Sequence, residues 1–204
     1  GGVALSRYYK LLDDISAHTQ DQNLDSHDRF FALAKLEFGR GRFRDETERK
    51  ILESMMSKDP HVQKLIHQLF EPKDYFTLRD RMIGSGAIGG KACGMLLARK
   101  IAEVCLPEFH EHTEPHDSFY IGSDVFYTYI VSNKCWKTRI EQRTEAGYFA
   151  KAEELKQALL SGSFPENIRE QFKAMLTYYG QSPIIVRSSS FLEDGFGNAF
   201  AGKY

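Results

Sequence analysis

Ser182-Pro183-Ile184-Ile185-Val186-Arg187-Ser188-Ser189-Ser190-Phe191-Leu192-Glu193-Asp194-Gly195-Phe196-Gly197-Asn198-Ala199-Phe200-Ala201-Gly202-Lys203 is the stretch from which this chain is read. Ile184, Ile185 and Val186 form a β-branched run after a Gly-Gln-Ser-Pro break, and a short apolar run bounded by turn residues predicts a buried strand. Arg187 stands at its end. A planar, permanently charged guanidinium followed by three hydroxyls and a loop with three glycines is chemically suited to phosphate oxygens. The same residues also fit a strand that runs out into an ordinary surface loop.

Val186-Arg187-Ser188-Ser189-Ser190, then Glu193-Asp194, then Phe200-Ala201-Gly202, resembles a known signature. It is the Val-Arg-Ser-Ser-Ala-Thr-x-Glu-Asp…Phe-Ala-Gly of the phosphoenolpyruvate synthase and pyruvate phosphate dikinase family, in its N-terminal ATP-binding part. Upstream, Ile88-Gly89-Gly90-Lys91-Ala92 is similar to the family's Gly-Gly-Lys-Gly/Ala segment. The resemblance covers roughly residues 83 to 204 and is specific at its two ends.

The resemblance implies an α/β (α+β) fold, the first part of an ATP-grasp nucleotide-binding domain, over residues 81–204; apolar spacing and helix-start signals make residues 1–80 a helical N-terminal extension. It implies that Lys91 and Arg187 hold the triphosphate of ATP from two sides. Gly202 would bring backbone close to the phosphates, since a side chain at such a place blocks approach, and Gly89 and Gly90 would belong to the ATP-binding set as part of the Gly-Gly-Lys segment. Ser188 and Ser189 would orient the loop or donate to oxygens. Glu193 and Asp194 would organise the loop first and relate to metal second, because carboxylates repel a triphosphate unless Mg²⁺ or Arg intervenes. The family's adenine-binding hinge, its Mg²⁺ carboxylates, its phosphohistidine domain and its pyruvate-binding barrel match nothing here. ATP and Mg²⁺ are thus the expected cofactors, with no catalytic residue and no metal ligand expected within these residues. The chain is expected to be the leading part of an ATP-dependent phosphotransferase, with little turnover alone. The acceptor, pyruvate or another such as an antibiotic or a glucan, would be reached through other domains, and the parent could be a homodimer. A rival reading is a nucleotide-sensing regulatory module that transfers no phosphate.

Composition narrows the field independently of any resemblance. With 42% hydrophobic and 27% charged residues, 204 residues suffice for one or two globular units at about 150 residues per domain. Lys and Arg number 27 against 28 Asp and Glu, so no overall field favours nucleic acid. The Arg40, Arg42 and Arg44 alternation is followed at once by Asp45, Glu46 and Glu48, which reads as a solvated turn. No apolar run approaches the roughly 18 to 20 residues of a membrane span and no signal-peptide pattern opens the chain, so the cytoplasm is the default expectation. Cys93, Cys105 and Cys135 lack any C-x-x-C spacing and read as reduced, packed thiols.

Along the chain, helical spacing appears first at Leu5, Tyr8, Leu12 and Ile15, then at Phe30, Leu33, Ala34 and Phe38 before Gly39 and Gly41. Asp45-x-x-Glu48 has the form of a capping box, and Asp59-Pro60 that of an N-cap followed by N1. Gly84-Ser85-Gly86-Ala87-Ile88-Gly89-Gly90-Lys91 is glycine-rich but lacks the P-loop's spacing and its Ser or Thr after the lysine. It fits the dinucleotide fingerprint only formally, because Arg79-Asp80-Arg81-Met82 reads as a poor strand. The remaining reading is a flexible loop that places Lys91 at a helix start, where ammonium and free backbone N–H groups share an anion. His110, His112 and His116 among acidic residues fit either a zinc site or a solvated loop. Beyond them, Phe119-Tyr120-Ile121 predicts a strand, Ser123 onward a helix, and two more helices are expected near 146–160 and 166–179. Of the last, Ile168, Phe172, Met175 and Leu176 are expected to face inward. Trp136 reads as half-buried packing, with base stacking as the alternative.

Overall fold

Residues 26–115 and 117–189, with the backbone of 194–195 and 198–199, are described by a computed structural model. The helix expected over Leu5–Ile15 lies outside them. Helix α1, Ser26–Gly39, buries Phe31, Leu33 and Ala34. It ends in a Schellman turn, in which the Arg42 N–H donates to the Glu37 carbonyl at 2.8 Å and the Gly41 N–H to that of Phe38 at 2.9 Å. Gly41 takes the left-handed conformation, φ +66°, that this turn demands.

Helix α2, Asp45–Met55, corrects the expected capping box: Arg44 is the N-cap, with no side-chain cap. Glu48 is drawn elsewhere, accepting from the Tyr75 hydroxyl at 2.8 Å and lying 3.1 Å from His67 Nδ1. Asp45, Glu46 and Glu48 still occupy the first turn, where negative charge favours the helix dipole. The N-cap of α3, Pro60–Leu69, is as expected, since the Asp59 carboxylate accepts from the N–H groups of His61 and Val62. Helix α4, Pro72–Asp80, was not anticipated, although Glu71-Pro72-x-Asp74 is a start signal in which Asp74 accepts from the Glu71 N–H at 2.7 Å.

These helices close over Ile51, Leu52, Met55, Met56, Ile66, Tyr75 and Phe76, and the same core continues into Met82, Ile88, Cys93, Leu97 and Tyr120. Burial of that apolar surface is what orients the segment that follows α4. Strand β1, Met82–Ile83, pairs in parallel with β2, Tyr120–Ile121, in the register Met82↔Tyr120 and Ile83↔Ile121. The connection carries α5, Gly90–Cys105, and α6, Phe109–His112, giving a β-α-β crossover. A strand therefore does precede the glycine loop, contrary to the polar look of Arg79–Met82. Two buried residues suffice to make it, too few to register as a period.

Helix α7, Ser123–Ser132, leads to α8, Trp136–Gln142, which no periodicity signalled. The helix expected over 146–160 is two, α9, Gly147–Ala150, and α10, Ala152–Ser161, divided at Lys151. Helix α11, Glu166–Tyr179, buries Ile168 and half-buries Phe172 and Met175, whereas Leu176 faces outward. Trp136 is half exposed. Of the cysteines, Cys93 and Cys135 are packed as expected but Cys105 is exposed.

The deciding stretch departs most from expectation. Ile184, Ile185 and Val186 form no strand and are 41%, 79% and 80% exposed. β-Branching favours an extended backbone but burial needs a partner, and β1 and β2 pair only with each other among the described residues. Beyond it, β3, Asp194–Gly195, and β4, Asn198–Ala199, make a tight antiparallel pair. The described residues form a mostly helical α/β arrangement around a short parallel pair. Among the described residues no helix is long and apolar enough to cross a membrane.

Candidate functional site

The loop between β1 and α5 is held at every residue from Gly84 to Ile88, which corrects the expectation of a flexible loop. Gly84, at φ +78°, donates its N–H to the Gln171 side chain of α11 at 2.9 Å, and its carbonyl accepts from Arg79 at 2.9 Å. Arg79 is itself fixed by an ion pair with Asp28 of α1. Ser85 and Gly86 donate their N–H groups to one oxygen of Asp124, at 2.9 and 2.6 Å. Ala87 exchanges bonds with Ser123, giving its N–H to the hydroxyl at 3.2 Å and receiving the Ser123 N–H at 2.9 Å. Ile88 donates to the Met55 carbonyl at the end of α2, at 3.0 Å. The backbone donors of this half of the loop are thus already paired within the protein.

Its other half opens α5. Gly89, the N-cap at φ +82°, is buried, and Cys93 donates back to its carbonyl at 3.1 Å. The Ala92 N–H of the first turn donates to the Ser189 hydroxyl at 3.0 Å. A Cβ on Gly89 would collide with the Ser189 carbonyl, so this residue is restricted to glycine by both its conformation and its neighbour. Strand β3 lies against α5 as well. Two stretches 97 residues apart therefore meet at one helix start.

Of the residues singled out from sequence, Gly89, Gly90, Lys91 and Ser189 are brought together there. Ser188 and Arg187 precede Ser189 on the exposed segment, and Lys91 is half-buried on the first turn. Gly202, Ser190 and Glu193 lie outside the described residues, and of Asp194 only the backbone is described. Sequence reasoning missed the supporting set, Asp124, Ser123, Gln171 and Arg79. Ser123-Asp124 after Gly122 carries a helix-start signal, but nothing local announces that it also holds a loop 38 residues upstream.

The start of a sixteen-residue helix exposes the positive end of its dipole, and a lysine on the first turn adds a full charge, so this point is suited to an anion. Cys93 beneath it is no candidate nucleophile, because burial pushes its thiol up to about 11. No group of three or more His, Cys, Asp or Glu among the described residues is placed to hold a metal ion. His110 and His112 are exposed on α6, His112 lies 3.6 Å from Glu108, and His116 is outside the described residues. A cleft of about 420 Å³ between α8 and α10, lined by Arg139, Leu155 and Leu159 among others, shares no residue with the loop.

The family model of the pyruvate phosphate dikinase AMP/ATP-binding domain matches residues 85–204, more than half of the chain. Its match begins in the glycine loop and takes in both motifs that meet at α5. No curated protein and no solved structure matches the chain.

Proposed function

The chain belongs to the family of the pyruvate phosphate dikinase AMP/ATP-binding domain, and from that premise we propose that it grips the phosphates of ATP at the start of α5. One observation carries this reading: the Ser189 hydroxyl caps the Ala92 N–H, joining the Gly89-Gly90-Lys91 turn to the Arg187-Ser188-Ser189 segment. Lys91 supplies a compact charge from the helix side. Arg187 supplies a planar, two-pronged donor from the other. Ser188 donates to a phosphate oxygen, and Gly202 lets backbone approach the triphosphate. ATP is gripped and oriented, which is most of what phosphoryl transfer asks of a protein.

The acceptor in this proposal is a histidine carried on another domain, from which the phosphate passes to pyruvate. Mg²⁺ would supply charge neutralisation on the phosphate oxygens, and the described residues contribute no carboxylate cluster that would hold it. The division we propose, 1–80 as a helical extension and 81–204 as the nucleotide-binding part, is one of role, since the core is continuous across it. The extension buttresses the loop through Met55 and Arg79.

The test is calorimetric titration of Mg-ATP into the chain and into Lys91→Ala and Arg187→Ala. Each variant is expected to bind roughly thirtyfold more weakly, the worth of one charge-assisted contact of about 2 kcal/mol. Binding undiminished in both variants would dispose of the reading.

A further inference from the structure

Three glycines converge on one carboxylate. The Cβ of any residue replacing Gly84 would lie 2.7 and 2.8 Å from the two oxygens of Asp124, that of Gly122 2.5 Å from one, and that of Gly86 3.0 Å from one and 2.6 Å from the Asp124 backbone nitrogen. The oxygen so enclosed takes two successive N–H groups, those of Ser85 and Gly86, and the second oxygen lies 3.4 Å from the Ser85 hydroxyl. Successive backbone N–H groups aimed at one point form the concavity in which proteins bind anions. Here the anion is part of the chain, on the second residue of α7, and half-buried.

We propose that Asp124 is a positioning residue of the nucleotide site: its carboxylate occupies the anion-binding concavity of Ser85 and Gly86, sets the path of the loop and leaves phosphate only the Gly89–Lys91 end. The inference rests on the phosphate-binding reading of Lys91. It explains why a loop so rich in glycine is nevertheless pinned: the glycines make room for a carboxylate rather than for a ligand. Ala87 and Ser123 exchange bonds and Ile88 bonds to Met55 on the far side of this half, so the direction in which the chain enters α5 is set by Asp124 together with these anchors. Loss of the Asp124 carboxylate loosens the approach of Gly89, Gly90 and Lys91 without touching any of them.

The experiment compares Mg-ATP and adenosine binding to the full 204-residue chain, to Lys91→Ala, and to Asp124→Ala and Asp124→Asn. Asp124→Ala is expected to weaken Mg-ATP about tenfold and leave adenosine unchanged, with excess formate restoring most of the loss by refilling the concavity. Asp124→Asn keeps an acceptor oxygen for both donors and is expected to fall between. If Lys91→Ala weakens Mg-ATP while Asp124→Ala binds as the parent does, the positioning role fails and the phosphate reading stands. If Lys91→Ala changes nothing, the phosphate reading fails and takes this inference with it. Tighter Mg-ATP binding by Asp124→Ala would mean that phosphate enters the vacated concavity, which also overturns it. Should Asp124→Ala not fold, the parent chain decides by amide resonances. Mg-ATP should move those of Gly90 and Lys91 and spare those of Ser85 and Gly86, and the reverse pattern sinks the proposal.

Discussion

Ser189 ends its visible role as a hydroxyl on the Ala92 N–H, and that is a capping interaction supplied from outside the helix. Ser189→Ala should destabilise the chain by about 1 kcal/mol, read from the urea midpoint, and Ser189→Thr should recover most of it because the acceptor is kept. The cysteines give a second test at this scale. Cys105 is exposed while Cys93 is buried with its thiol raised to about 11, and the thiolate is the species that reacts. Mass spectrometry after brief alkylation at neutral pH should find Cys105 modified and Cys93 intact. Modification of Cys93 in the folded chain at that pH would contradict the packing. Lys91 and Ser189 could be picked from the sequence because each sits beside a motif. Asp124 and Gln171 could not, since their partners lie 38 and 87 residues away and no local pattern encodes such a meeting.

Long helical periods were legible; of the short elements β2, Tyr120–Ile121, was read from Phe119-Tyr120-Ile121, whereas β1, α4 and α8 were not. Helices α1, α3, α5 and α11 were placed by apolar spacing and by Pro and Gly punctuation, which act within one or two turns. Strand β1 has two residues and α8 seven, below what a period needs. Ile184–Val186 failed for a different reason: composition states a preference for extension, but burial depends on what lies alongside. The substitution that separates the two is Ile185→Lys. A buried strand would lose several kcal/mol by that change, whereas a residue 79% exposed should shift stability by less than about 0.5 kcal/mol in thermal or urea unfolding. The capping box predicted at Asp45 failed because Glu48 finds the Tyr75 hydroxyl, a partner 27 residues away that outcompetes the local one.

For the molecule as a whole, alkali is the condition that probes the shared core. Burial pushes Cys93 from 9.0 to about 11 and Tyr120 from 10.0 to about 12, and both lie in the core that joins the first helices to the β-α-β crossover. Each group binds its proton more tightly when folded, so its contribution is complete below the unfolded value and lost as pH rises through the folded one. The melting temperature should therefore fall progressively between about pH 9 and 12, and Cys93→Ala should flatten the lower part of that fall. A chain whose melting temperature does not change across this window would place neither group in the core. The 97-residue span between Ala92 and Ser189 also dictates an order of events during synthesis. Met55 and Arg79 leave the ribosome before the glycine loop they hold, Asp124 follows soon after, and Gln171 and Ser189 emerge last. The helix start that we assign to phosphate is thus completed only when the second motif arrives, and nascent chains stopped short of Ser189 would carry a formed loop with an uncapped turn.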